Sequence, residues 1–322
     1  ATATRALISA AIPNADLVNA ETISIWTTLQ THVRVLLNHL SPDHPDTLIT
    51  RHDLAGWTGQ AGDPAGAQNL FAELLLIQER VLGPEHPETL TTRHNQAYFT
   101  GEAGNPAGAR DMLDELLPIR ERVLGTDHPD TLTTRQELAR WTGRAGDPAG
   151  ARDLFAELLP IRERVLGADH PRTLLTRHEM AHWTGQAGDP AVARDLFAEL
   201  LPIQDGILGT DHPDTLLTRH NLAYRTGDAG DPAGARDLLA ELLPIRERVL
   251  GTDHPNTLNT RHNLAHWTGQ AGDPASARDM LTELLPTRER VLGTDHPSTL
   301  NTRRRLAYWT ERIGRPDDEE DA

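Results

Sequence analysis

The string His-Pro-x-Thr-Leu occurs seven times in this chain of 322 residues, at His44, His86, His128, His170, His212, His254 and His296, always 42 residues apart. A strict period of that length is the mark of a chain that folds as a row of one small unit rather than around a single core. Each unit reads approximately DHPDTLxTRHNLAxWTGQAGDPAGARDLFAELLPIRERVLG. Six units are complete, over residues 44–295, and a seventh stops after its first half, residues 296–313.

Within a unit the pattern predicts two helices. Asp43 or His44 caps the first, Pro45 suits its first turn, and Gly59 with the following Gln-Ala-Gly ends it. Asp63 caps the second and Pro64 opens it. Ala67, Leu70, Phe71, Leu74, Leu75 and Val81 form its apolar stripe, and Gly83 closes it. One such hairpin cannot bury its own apolar face, so the units are expected to stack. The fold class expected is therefore all-α: a right-handed superhelical α-solenoid of stacked antiparallel helix pairs. Five second helices carry an internal proline, at Pro118, Pro160, Pro202, Pro244 and Pro286, with Leu76 in the first unit. Each proline removes a helical hydrogen bond, which predicts a kink or a break.

Composition narrows the function. Aromatic residues are 4% of the chain, low for one large globular core and suited to an elongated stack of Leu, Ala and Val. There is no cysteine, and all 31 basic residues are arginine. That excludes thiolate zinc sites, Walker A loops and Schiff-base chemistry within these residues. A formal net charge of -16 argues against a nucleic-acid partner, and no apolar run is long enough to cross a membrane. No cofactor is called for. A cytoplasmic location is expected, and the absence of an initiating Met suits a segment of a larger protein.

Comparison of the units with one another separates a constant from a variable face. Second helices are nearly identical, and the differences lie in the first helices. Four columns vary in chemistry. They are headed by Ile49 (with Thr91, Thr133, Leu175, Leu217, Asn259, Asn301), by Asp53 (with Asn95, Glu137, Glu179, Asn221, Asn263, Arg305), by Gly56 (with Tyr98, Arg140, His182, Tyr224, His266, Tyr308) and by Gln60 (with Glu102, Arg144, Gln186, Asp228, Gln270, Arg312). Spacings of four, three and four residues put these columns within an arc of about 60° on one side of a helix. Leu48, Leu54, Ala55, Trp57 and Ala61 fall on the other side. Stacking is expected to lay the variable faces side by side as one surface.

The array resembles tetratricopeptide repeats, in the longer 42-residue form found in kinesin light chains and in bacterial signalling proteins. The marks are Leu54-Ala55 in the first helix, Gly62 in the turn, and Ala67 and Phe71 in the second, over about residues 44–310. Two features depart from the family pattern: Trp57 stands one place before the usual aromatic, whose position Thr58 holds, and the proline of the second helix comes early. The resemblance implies that first helices line a concave groove, with Ile49, His52, Gly56, Gly59 and Gln60 at groove-lining positions. The expected ligand-contacting residues are Tyr98, Arg140, His182, Tyr224, His266 and Tyr308, with His52, His94, His178, His220, His262, Asn95, Glu137, Glu179, Asn221 and Asn263. The resemblance further implies a non-catalytic scaffold for a protein or extended peptide, as in the sensing end of bacterial STAND-type ATPases. Residues 1–43 read as an opening cap, with helices at residues 3–11 and 22–40, and residues 314–322 as an acidic disordered tail.

Two further readings compete with peptide binding. A self-associating scaffold would use the open ends of the stack. A zinc hydrolase would use His178-Glu179-Met180-Ala181-His182, a His-Glu-x-x-His match. The same five columns read HDLAG, HNQAY, QELAR, HNLAY, HNLAH and RRLAY elsewhere, so the match is a chance draw at variable columns beside a common histidine. His178/His182 and His262/His266 retain the i,i+4 spacing of a transition-metal pair. The histidines of the seven Asp/Glu-His-Pro strings read as helix caps. Arg51 and Glu73, with their counterparts, read as inter-helix pairs that fix the stacking.

Overall fold

The computed structural model describes residue 37 and residues 41–313. The expected N-terminal cap helices and acidic tail lie outside these described residues. The chain falls into two compact units, residues 1–161 and 162–322. The first contains α1 (Pro45–Gln60), α2 (Pro64–Val81), α3 (Pro87–Glu102), α4 (Pro106–Leu124), α5 (Pro129–Arg144) and most of α6 (Pro148–Leu166). The second contains the end of α6, then α7 (Pro171–Gln186), α8 (Pro190–Ile207), α9 (Pro213–Asp228), α10 (Pro232–Leu250), α11 (Pro255–Gln270), α12 (Pro274–Leu292) and α13 (Pro297–Ile313). Every described element is a helix, and within each unit successive helices pack on one another. The fold is an all-α repeat solenoid.

Local chemistry sets the helix ends. Nδ1 of His44 accepts from the Asp46 amide at 3.2 Å, and His86, His128, His170, His212, His254 and His296 do the same two residues on. Each therefore satisfies an otherwise unpaired amide of the first turn, while the proline behind it has no amide to satisfy. Asp63 caps α2 through the Gly66 amide at 2.8 Å. Between α1 and α2 the chain reverses through Gly62 at φ 96°, a conformation that a side chain would strain.

The core of each unit repeats. In the first, Leu90, Ala97, Ala109, Leu113, Leu116, Leu138 and Trp141 form one cluster. In the second, Leu216, Ala223, Ala235, Leu239, Leu242, Leu264 and Trp267 form the counterpart. Fully burying one Leu or Phe contributes about 1.5–3 kcal/mol, so a few such residues per repeat suffice only when neighbouring repeats cover them. The Trp57 column explains one departure from the family pattern. The indoles of Trp141, Trp267 and Trp309 are buried against Gly101, Gly227 and Gly269 of the preceding first helix, where an added Cβ would overlap the ring. Phe99 covers Gly59 in the same way, so Gly59 is roofed by the next repeat rather than open as a groove-lining position.

Two expectations are corrected. The prolines do not break the second helices: α4, α6, α8, α10 and α12 each run through one without interruption. Pro118, Pro160, Pro202, Pro244 and Pro286 are exposed, as are the residues four places earlier whose carbonyls lose their donor, so water can replace the missing bond. Arginines of the Arg51 column do not pair with the Glu73 column, which is exposed. They reach back to the carboxylate fourteen residues before, as Arg93 to Glu79 at 2.5 Å, Arg177 to Glu163 at 2.7 Å and Arg219 to Asp205 at 2.8 Å; Arg135 with Glu121 makes the same pair. Each ties a first helix to the second helix before it.

Candidate binding face of the first helices

In the first unit the variable columns of α1, α3 and α5 meet around a cavity of about 460 Å³. Asp53, Gly56 and Gln60 of α1, Asn95 and Tyr98 of α3, and Thr133 and Glu137 of α5 line it, together with His52 and His94. The cavity thus brings together five of the expected contact residues, His52, His94, Asn95, Tyr98 and Glu137. They converge because α1, α3 and α5 occupy the same place in successive repeats, so columns 42 residues apart become neighbours. Phe71, Trp57 and Phe99 form the apolar part of the wall.

The lining is polar and organised. Asn95 Nδ2 lies 2.8 Å from His52 Nε2, joining two consecutive first helices. The Tyr98 ring stands edge-on to Phe99 and Trp141, with centroids 5.2 and 6.1 Å away. Burial, with the carboxylates of Glu102 and Glu137, holds its phenol above the usual range, so the hydroxyl stays a neutral donor and acceptor. Glu137 is 7% exposed and accepts from Arg140 Nη1 at 3.0 Å. At the rim, Arg144 donates to Glu102 of the preceding first helix at 2.9 Å and lies over the Trp141 ring at 4.8 Å.

In the second unit the same columns sit on α7, α9, α11 and α13. Tyr224 and Tyr308 are exposed, while His182 and His266 are half-buried beside Trp183 and Trp267, with centroids 5.0 and 4.7 Å apart. Tyr308 OH accepts from Arg312 at 2.9 Å. Glu179 accepts from Trp183 Nε1 at 3.2 Å. Arg225 replaces the tryptophan of its column and lies against Gly185, with its guanidinium 5.6 Å from the Tyr224 ring centre and 3.0 Å from Asp228.

The shared histidines are more enclosed than a groove-lining role suggests. His178 is 7% and His262 6% exposed. His178 Nδ1 is 2.9 Å from Thr218 Oγ1, its Nε2 is 3.1 Å from Asn221 Nδ2, and its ring packs edge-on against Phe197. His220 meets Asn263 at 3.0 Å, and His262 meets Thr302 at 3.2 Å. With the Asn221 amide donating to Nε2, the neutral His178 ring carries its proton on Nδ1 and donates to Thr218 Oγ1. Burial holds these imidazoles neutral: His94, His220 and His262 are pushed down to about 3, with Arg120, Arg246 and Arg288 respectively adding repulsion. Burial and the neighbouring His182 push His178 down to about 4, and burial and Arg305 do the same to His266. Asn221 and Asn263 are thus committed to joining repeats. Their column varies from repeat to repeat, yet part of the variable face is taken up by such bonds.

The His-Glu-x-x-His match takes a structural place here. Both ring nitrogens of His178 face hydrogen-bond partners in the next repeat. Among the described residues no group of three His, Cys, Asp or Glu is arranged to hold a metal ion. Nor is any described helix long and apolar enough to cross a membrane.

The family model described as tetratricopeptide repeat matches residues 94–164, 144–205 and 226–290, and a second model of the same description matches residues 47–88. The chain belongs to the tetratricopeptide-repeat family. No curated protein matches it. Among solved structures, a kinesin-light-chain-like protein of Podosopora anserina with nearly identical TPR-like repeats is 27% identical; the match covers 66% of this chain and 99% of that one, at a TM-score of 0.58. A STAND signal-transduction ATPase of Pyrococcus horikoshii with a tetratricopeptide-repeat sensor is 13% identical, with 91% of this chain and 41% of that one covered at a TM-score of 0.65. The quorum sensor NprR of B. thuringiensis is also 13% identical, covering 96% and 86% at 0.58, and an NprR structure holds its cognate peptide NprX. At these last two identities the likeness is one of fold.

Proposed function

We propose that this tetratricopeptide-repeat chain is a non-catalytic binding scaffold that receives a protein segment or extended peptide on the variable face of its first helices. The observation that carries the reading is the cavity of about 460 Å³ in the first unit, where three consecutive variable faces converge while the constant residues are spent on the core. A surface whose residues change from repeat to repeat, over a core that does not, is the pattern of a recognition surface. Tyr98, Arg140, Tyr224 and Tyr308, with His182 and His266, offer the aromatic and cationic anchors that dominate interfaces. Glu137, Glu179 and Asn95 supply polar selection between them.

NprR with its peptide and the ATPase with its repeat sensor share this fold. They support a sensing role in which the array captures a ligand for a larger signalling protein. The test is affinity capture from host lysate with the wild-type protein beside a variant carrying Tyr98→Ala, Tyr224→Ala and Tyr308→Ala. Partners held by the wild type are expected to be lost from the variant while its circular dichroism is unchanged. Identical partner sets on both proteins would refute the assignment of this face.

A further inference from the structure

In four of the six second helices one arginine is turned inward: Arg120, Arg162, Arg246 and Arg288 are each no more than 3% exposed. Nη1 of Arg120 donates to the Asp130 carbonyl at 2.8 Å and to Thr134 Oγ1 at 2.7 Å, and Nη2 donates to the Leu90 carbonyl at 3.1 Å. Arg246 makes the same three bonds, to Asn256, Thr260 and Leu216, and Arg288 makes them to Ser298, Thr302 and Leu258. The acceptors are neutral oxygens at the seam between two first helices. Each repeat boundary of this kind is therefore a socket shaped for a planar, forked cation.

The first repeat has the socket without its arginine. Gln78 stands in that column, 42 residues before Arg120, with a side chain shorter than arginine's and no guanidinium. It is 2% exposed, and its Oε1 has no hydrogen-bond partner. Thr92, the counterpart of Thr134, is fully buried, and its hydroxyl is likewise unpaired. Two buried acceptors left unsatisfied at one seam are costly, on the order of 1–3 kcal/mol each. A cavity of about 350 Å³ lies beside Gln78, lined by Gln78 with Ile49, His52, Pro87, Glu88 and Thr91. Ile49 and Thr91 belong to a variable column, and His52 also lines the larger cavity, so the two spaces adjoin on one face.

We propose that this cavity is a pocket for a guanidinium group, filled by an arginine side chain of the bound ligand. The proposal rests on the reading of the first-helix face as a binding surface and specifies one residue of what binds there. From the cavity the ligand's guanidinium would donate to Gln78 Oε1 and to Glu88, the two acceptor-bearing residues of the lining that stand beside the vacant arginine column. The exposed Glu88 carboxylate on the cavity wall favours a cation, and so does the chain's net charge of -16. A guanidinium fits better than an ammonium, because its planar fork can meet Gln78 Oε1 with one nitrogen and Glu88 with another, as the internal arginines divide their acceptors in the sister repeats.

The probe is ethylguanidinium at millimolar concentration, with ethylammonium as the control, followed by ligand-observed NMR and by soaking crystals of the full chain. Ethylguanidinium is expected in the cavity beside Gln78, preferred over ethylammonium by about tenfold or more. Gln78→Arg fills the socket from within and is expected to abolish the site. That variant recreates the side chain of four sister repeats, and its melting curve checks folding. Should it fold poorly, Glu88→Gln, at an exposed position, is expected to weaken binding several-fold instead. Equal binding to wild type and folded variant, or a cavity holding only water, would overturn the proposal. Loss of the pocket with Tyr98-dependent partner capture intact would refute this inference alone. Failed capture with ethylguanidinium still bound would refute the wider reading.

Discussion

Acidification to about pH 5 is expected to loosen this array through its buried histidines. His94, His178, His220 and His262 are held neutral in the folded chain, at about 3 to 4 against an unperturbed value near 6.5. Below pH ~6.5 the unfolded imidazoles bind protons that the folded ones refuse, so these groups make stability rise with pH through the window from about 3 to 6.5 and add no slope well above it. Between about pH 7 and pH 5 one such histidine loses about 2 kcal/mol. Four of them together lose about 7 kcal/mol, comparable with the whole stability of an ordinary domain. Protonation also breaks a specific contact, because Nε2 of His178 can no longer accept from the amide of Asn221. The groups pressing on these rings, Arg120, Arg246, Arg288, Arg305 and the neighbouring His182 and His266, all oppose a second positive charge. Urea denaturation followed by circular dichroism across this pH range is the assay, with His178→Gln/His262→Gln as the comparison. The pH slope of the double variant is expected to fall by about two protons. A stability that is flat between pH 7 and pH 5, or a slope unchanged in the variant, would refute the reasoning.

Three further outcomes follow from packing. Gly101→Ala drives a methyl group into the indole of Trp141 and should cost about 1–3 kcal/mol in urea, whereas Gly56→Ala meets nothing within 4 Å and should stabilise by up to about 1 kcal/mol. Pro160→Ala restores a backbone hydrogen bond at an exposed helical site and should raise the melting temperature; a fall would show that the proline is needed where it stands. Arg120→Met leaves the Thr134 hydroxyl and two carbonyls without their guanidinium and should destabilise by about 2–4 kcal/mol, while Arg120→Gln, the residue used at Gln78 and Gln204, should cost less.

Comparison of a chain with itself made much of this legible. The 42-residue period, the Pro-initiated helices, the histidine caps and the split into constant and variable columns all follow from local rules that act within one or two turns. Sequence rules fall short where the deciding neighbour is in another repeat or is solvent. Gly59 reads as a surface position until Phe99 is seen to cover it. The partner of Arg93 is Glu79 rather than a residue of the Glu73 column, a choice made by the angle between two helices and not by spacing. The prolines looked disruptive because the cost of a lost hydrogen bond depends on whether water can replace it, and that depends on which side of the helix faces out.

The histidines show the division most clearly. Sequence alone determined that His52, His94, His178, His220 and His262 recur beside the variable columns, because a helical period fixes which residues share a face. Only tertiary structure decided that they bridge repeats. A bond such as that from Asn221 to His178 joins residues 43 apart, and it exists only once two hairpins are stacked. The same holds for the socket at Gln78: the substitution of one residue in a column is plain in the sequence, but the unpaired oxygens and the space beside them belong to the packed seam.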